Sequence, residues 1–228
     1  MTPLDGRVVA VVGGGGYPGV VVDGIVVALS DAGAAVARLG SGASDVARDV
    51  DGVVAERGAL DGLVYASVHP STVEPVAFVD VDDARWEAAW EQTMRSTIAV
   101  LQAAYPHLRA HGRGRVVVVT PTVSMSGAPG LVPLSVAVEG QRLLAKSAAR
   151  QWGPDGITVN CVAVAPEVVL GSGVGLAADA VSLAPAALGG PGDPAADLGP
   201  VVAWLCSDDA HHVTGATIGA DGGVWMAP

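Results

Sequence analysis

The sequence is poor in aromatic and in basic side chains. Its 228 residues include five Trp, three Tyr and one Phe, although half of them are hydrophobic, so Val, Ala, Leu and Gly must fill the core. Such a core suits parallel strands that are covered on both faces. Only 12 Lys and Arg residues stand against 23 Asp and Glu, which gives a net charge of −11. A chain of this charge repels phosphate backbones and anionic lipid, so we expect neither nucleic acid nor a membrane as a partner.

Cysteine is also scarce. Cys161 and Cys206 have neither redox nor metal-ligand spacing, and the five histidines have no acidic partners at such spacing, so no metal site is predicted. No basic segment precedes the first apolar run, and Asp23 interrupts the next one before it is long enough to cross a bilayer. We therefore expect a cytoplasmic protein.

Apolar runs alternate with helical patterns along the whole chain, which is typical of βαβ units and a parallel sheet. No linker or repeat divides the chain, so one domain is expected over residues 1–228. Strands are predicted at Arg7–Val12, Ala35–Leu39, Leu60–Tyr65, Arg115–Thr120, Thr158–Val164 and Ala216–Ala220, and helices at Val20–Ala32, Asp83–Ala110, Val132–Trp152 and Ala195–Leu205. The segment Pro166–Asp197 is rich in Gly, Ala and Pro and is predicted to be a mobile loop.

The first strand is followed by a glycine-rich segment, GGGGYPG at 13–19, and then by a helix. This order can place backbone N–H groups around a pyrophosphate, and Gly13, Gly15 and Gly19 would then bind the cofactor. The same glycines also allow tight packing without any ligand. No acidic residue ends the second strand, where one would hold a ribose, because that strand finishes at Arg38-Leu39-Gly40-Ser41.

Five stretches of the sequence carry a resemblance to a known family. They are VAVVGGGGYPG at 9–19, GALDGLVYAS at 58–67, GRVVVVTPTVSMSGAPGLVPLSVAVEG at 114–140, QWGPDGITVNCVAVAPE at 151–167 and CSDDAHHVTGATIGADGG at 206–223. In their order and spacing they resemble the short-chain dehydrogenase/reductase superfamily. The resemblance implies a single Rossmann-type domain with a doubly wound parallel sheet of six or seven strands. Only twenty residues, Gly40–Ala59, separate the second strand from Leu60, so one helix and an edge strand are expected to be missing there.

The chain departs from the family at every catalytic position. The resemblance implies an Asn on the long helix, a Ser after a central strand and a Tyr-x-x-x-Lys pair on the next helix, which together donate a proton and position a carbonyl. These positions fall on Thr93, Pro121, Leu134 and Val138. None of the four can take over its counterpart's role, so ordinary ketone–alcohol hydride transfer is not expected.

The segment that would bind the cofactor departs from the family's pattern as well. The family's Asn-Asn-Ala-Gly segment matches Tyr65-Ala66-Ser67-Val68, which places bulk beside the expected nicotinamide ribose. We therefore expect no cofactor, and NAD(P) if there is one. Polar side chains are expected to remain in the cleft, where an acid and a base could act without a cofactor. The candidates are Tyr65, His69, Thr120, Thr122, Ser124 and Ser135.

Three functions stay open on the sequence alone. The first is a pseudo-dehydrogenase that acts as a structural or regulatory subunit of an active paralogue. The second is an enzyme that uses the same cleft for isomerisation, dehydration or cyclisation, and the third is a divergent NAD(P)-dependent oxidoreductase. In the family, the two long helices pair across a twofold axis, so we expect a homo-oligomer or a hetero-oligomer built on Asp83–Ala110 and Val132–Trp152.

Overall fold

The computed structural model describes residues 2–40, 45–170 and 185–226. Six parallel strands form one sheet in the order β2-β1-β3-β4-β5-β6. The predicted fold class is confirmed, and residues 45–61 form one helix and no strand, as the short spacing indicated. The strands are β1 Val8–Gly15, β2 Ala35–Gly40, β3 Gly62–Val68, β4 Arg115–Pro121, β5 Thr158–Val164 and β6 Thr217–Ala220.

The helices cover both faces of this sheet. The apolar residues of α1 and α8 pack on one face, and those of α2, α4 and the C-terminal half of α6 pack on the other, whereas Leu134 and Val138 near the start of α6 belong to the first cluster. Every residue of β3, β4 and β5 is buried, because aliphatic side chains of alternate positions meet helices on both sides. The helices are α1 Gly19–Asp31, α2 Val46–Arg57, α3 Asp83–Glu87, α4 Thr93–Arg109, α5 Val123–Ser126, α6 Val132–Trp152, α7 Pro166–Leu170 and α8 Gly199–Cys206.

The predicted helix over Asp83–Ala110 contains an irregularity. A π-helical turn, Ala88–Gln92, joins α3 to α4. Such a turn inserts a residue and shifts the phase of the helix. Trp86 before the turn is exposed, whereas Thr97, which regular helical spacing places on the same stripe, is buried. A second π turn, Pro194–Leu198, precedes α8, so the last helix begins at Gly199 rather than at Ala195. Of the expected mobile loop, residues 171–184 lie outside the described part.

The paired helices α4 and α6 carry exposed apolar side chains. Ile98 and Leu143 are exposed, and Leu144 is half-buried. Leu101 of α4 is buried and packs in the core between α4 and the sheet.

The strand order reverses between β1 and β3, because β1 pairs with β2 on one side and with β3 on the other. In open α/β sheets, ligands bind outside the carboxyl ends of the strands at such a reversal. The ends of β1 and β3 are therefore where a functional site is expected.

Candidate functional site

The glycine segment does not form the loop that the sequence indicated. Strand β1 continues through Gly15, and Gly13, Gly14 and Gly15 pair in register with Ala66, Ser67 and Val68 of β3. The next amide, that of Gly16, donates to the carbonyl of Val68 at 2.9 Å. A Cβ on Gly15 would lie 2.2 Å from the Val68 carbonyl oxygen, and the φ of Gly15 is +66°. Gly15 is thus required for the close approach of β1 to β3.

Tyr17 follows directly and fills the space at the end of the sheet. Its side chain is 4% exposed, and its hydroxyl donates to the carbonyl of Val119 at 2.7 Å. Because β3 lies between β1 and β4, the ring of Tyr17 must span the end of β3. Burial raises the pKa of this phenol well above its ordinary value, so the group stays neutral.

The two positions that match the family's Tyr and Lys lie in the hydrophobic core. Leu134 and Val138 are both fully buried, in the same apolar cluster as Tyr17, Leu131 and Val123. A proton donor and an ammonium group would have to face substrate and ribose at these positions. Packed aliphatic side chains instead close this end of the sheet.

The two positions that match the family's Ser and Asn are also occupied by buried residues. Pro121 is the buried last residue of β4. Thr93 is buried at the start of α4, and its Oγ1 accepts the backbone N–H of His69 at 2.9 Å. Thr93 therefore fixes the loop after β3 to the long helix, which is a structural role.

A buried glutamine extends this network. The Nε2 of Gln141 on α6 donates to the carbonyl of Ser67 and to Oγ1 of Thr97, both at 3.0 Å. The Thr97 hydroxyl in turn donates to the carbonyl of Thr93 at 2.8 Å. Strand β3 and helices α4 and α6 are thus joined by side-chain hydrogen bonds where the family has its proton relay. The sequence held a signal for this residue, since Gln141 is a polar side chain within the buried stripe of α6.

Residues 16–18, directly before α1, offer no free amide to a pyrophosphate. The amides of Gly16 and Tyr17 donate to the carbonyls of Val68 and Gly14, and residue 18 is a proline without an N–H. A pyrophosphate needs such donors free at a helix N-terminus. Beyond the glycines, Tyr17, Leu134 and Val138 occupy the region toward β4.

A cavity of about 360 Å³ lies beside this packed region, between the end of β3 and the start of α4. The Tyr65 hydroxyl donates to Oγ of Ser96 at 3.2 Å in its wall. His69 also lines it, and Nδ1 of that ring accepts the backbone N–H of Ser71. The residues around the cavity are Gly15, Tyr65, Ser67, Val68, His69, Pro70, Gln92, Thr93, Arg95 and Ser96.

The structure does not bring the six predicted cleft residues together. Tyr65 and His69 line this cavity. Thr120 and Thr122 are buried at the end of β4, and Oγ1 of Thr122 has no hydrogen-bond partner among the described residues. Ser124 lines a different pocket beside Glu139 and Arg142, where the Arg142 hydrogen bond lowers the pKa of the Glu139 carboxyl.

Ser135 is also apart from the cavity, since its Oγ lies 3.5 Å from the carbonyl of Val123. Sequence reasoning missed Tyr17, Ser96 and Gln141, which the fold brings to this end of the sheet.

Within the described ranges, no group of three His, Cys, Asp or Glu side chains has metal-binding geometry. No helix in those ranges is long and apolar enough to span a membrane.

Comparison with known proteins identifies the family of this chain. The profile of a family described as Enoyl-(Acyl carrier protein) reductase matches residues 41–225, which is most of the chain. The chain belongs to the short-chain dehydrogenase/reductase family. An uncharacterized short-chain type dehydrogenase/reductase from Sinorhizobium fredii is 32% identical over 157 residues, which cover 66% of this chain and 61% of that protein.

Other members of the family are similar over longer stretches. Human dehydrogenase/reductase SDR family member 4 is 28% identical over 78% of this chain and 65% of its own length. The 3-oxoacyl-[acyl-carrier-protein] reductase FabG of Staphylococcus aureus is 28% identical over 81% of this chain and 74% of its own length. The chain thus spans less than two thirds of the length of the first two relatives.

The fold is shared with a short-chain dehydrogenase/reductase of known crystal structure from Burkholderia xenovorans. The TM-score is 0.81 at 22% identity, and the match covers 98% of each chain. At this identity the likeness shows the fold, and the chemistry must be argued from the residues of this chain.

Proposed function

We propose that this chain is a non-catalytic member of its family, which assembles with an active short-chain dehydrogenase and supports or regulates it. The observation that carries the proposal is the complete burial of Leu134 and Val138 within the core. A catalytic cleft would be open at these two positions. The glycine segment supports the same conclusion, because its amides bond to the protein itself.

A surface for assembly remains on the outer side of α4 and α6. Trp90, Ile98, Val136 and Leu143 are exposed there. Gly140 allows Trp90 to pack closely on α6, since a Cβ at that position would lie 3.0 Å from the ring. An apolar surface shared by two long helices is unusual on a soluble monomer. A twofold contact of this kind converts readily into a heteromer when a paralogue presents nearly the same surface.

An enzymatic function without a cofactor is the second candidate. It rests on the cavity that Tyr65 and His69 share, where a phenol and an imidazole could act as acid and base. One relative, FabG, is named as a reductase, so membership of the family does not by itself argue against catalysis by this chain. Two outcomes of the experiment below separate the candidates.

The test is co-expression with an active short-chain dehydrogenase encoded beside this chain, followed by native mass spectrometry. We expect a mixed oligomer in preference to either homo-oligomer, and a turnover or solubility of the active partner that depends on this chain. Leu143→Arg should abolish the mixed species, because it places a charge in the apolar contact. Val27→Arg is the matched control, since Val27 is an exposed aliphatic residue on α1, away from this surface.

Two results would overturn the proposal. One is self-association alone, together with substrate turnover by the purified homo-oligomer, which would favour the enzymatic candidate. The other is an equal loss of assembly in Leu143→Arg and Val27→Arg, which would remove the helix pair from the contact.

A further inference from the structure

The cavity between β3 and α4 is donor-rich. His69 accepts the Ser71 N–H at Nδ1, with the Ser71 hydroxyl 2.7 Å from the same nitrogen. Because Nδ1 is an acceptor, the proton of the neutral imidazole is on Nε2, which makes that nitrogen a donor. The Gln92 amide and the Arg95 guanidinium line the same cavity and add further N–H donors.

The charge of this cavity differs from that of the protein as a whole. The chain has a net charge of −11, yet no Asp or Glu is among the described residues that line the cavity. The charge there comes from Arg95, whose guanidinium pairs with Glu91 one helical turn away. Both side chains of that pair are more than half exposed, and such pairs are weak enough for a ligand anion to compete.

The backbone beside the cavity is irregular in a way that suits a site. The π turn Ala88–Gln92 ends at the cavity, and the next residues, Thr93, Arg95 and Ser96, also line it. Turns of this kind inside helices occur frequently at functional sites. Val68 and Pro70 add apolar surface to the wall.

We propose that this cavity binds a small organic anion, a carboxylate or a phosphate monoester attached to an apolar body. The anionic oxygens accept from Arg95, Gln92 and Nε2 of His69, and the apolar body lies against Val68 and Pro70. The volume of about 360 Å³ is at the small end of ligand pockets and suits a single-ring molecule. The proposal does not depend on the non-catalytic role, since a regulatory ligand and a substrate would both occupy this space.

The protein is titrated with benzoate, phenyl phosphate, benzamide and benzamidine, and binding is measured by calorimetry and by tyrosine-selective NMR. Benzamide and benzamidine keep the ring and replace the anion by a neutral or a cationic group. For a ligand of benzoate size, we expect saturable binding at about 1 mM. At least one of the two anions should bind about tenfold more tightly than benzamide, because charge-assisted hydrogen bonds are the stronger ones. The better anion identifies the class of ligand.

The three tyrosines of the chain locate the ligand. The signal of Tyr65 should shift on binding. That of Tyr105 should not, because Tyr105 lies toward the far end of α4, where its hydroxyl donates to Asp155. Arg95→Gln should remove the preference for the anion. Arg109→Gln, which changes another exposed arginine of the same helix, should leave it unchanged.

Three results would overturn the proposal. They are the absence of saturable binding by either anion up to about 20 mM, equal affinity for anion and benzamide, and an anion preference that survives in Arg95→Gln.

Discussion

Removing the side chain of Leu134 tests whether the family's catalytic position has become core. Leu134 is fully buried. Truncation of such a leucine to alanine costs about 3 kcal/mol, from lost burial and the cavity left behind. For a domain of this length, each kcal/mol lowers the melting temperature by about 2–4 °C, so Leu134→Ala should melt about 6–12 °C below the parent protein.

The matched control is Leu188→Ala, because Leu188 is 88% exposed and loses the same atoms. Its free energy of unfolding should change by less than about 0.5 kcal/mol. Both variants are compared by denaturant unfolding, followed through tryptophan fluorescence at one protein concentration. Equal, small changes in the two variants would refute the reasoning, because they would place Leu134 in an open cleft.

Two further predictions concern catalysis and acid stability. Restoring the family's groups together should produce no NADPH-dependent ketone reduction, because no nicotinamide is held near a carbonyl; measurable NADPH oxidation by the purified variant would contradict this. The four changes are Thr93→Asn, Pro121→Ser, Leu134→Tyr and Val138→Lys. The Arg7 hydrogen bond lowers the pKa of Asp208, so the stability that this pair contributes is present above the unfolded pKa of about 3.9 and is lost as pH falls through the lower folded value. Asp208→Asn should therefore be less stable at neutral pH and decline less below about pH 4, and parallel pH–stability curves would contradict the assignment.

The fold could be predicted because it depends on local pattern and on spacing. Runs such as those of β4 and β5 alternate with helical periodicity, and the match of Leu134 and Val138 to the family's Tyr and Lys rests on their spacing within residues 114–140. The continuation of β1 to Gly15 could not be predicted in this way. Glycines have no side-chain pattern, and the pairing of Gly15 with Val68 is a contact between residues far apart in the chain.

The cavity could not be predicted from the sequence for the same reason. Tyr65 and Ser96 are separated by a loop, a short helix and a π turn, and only the tertiary structure brings their hydroxyls within hydrogen-bond distance. Tyr17 stood in the expected cofactor loop, yet its inward direction follows from the extension of β1. Sequence reasoning thus predicted which positions depart from the family, whereas the structure was needed to see how the side chains at those positions pack.

Calorimetric titration of the purified protein with NAD(H) and NADP(H) tests the central claim most directly. The amides of Gly16 and Tyr17 are engaged by the protein, and Tyr17, Leu134 and Val138 fill the region toward β4. The account predicts no binding of either dinucleotide at sub-millimolar concentration. A micromolar dissociation constant, or a crystal structure with a dinucleotide ordered along Gly13–Gly19, would contradict it.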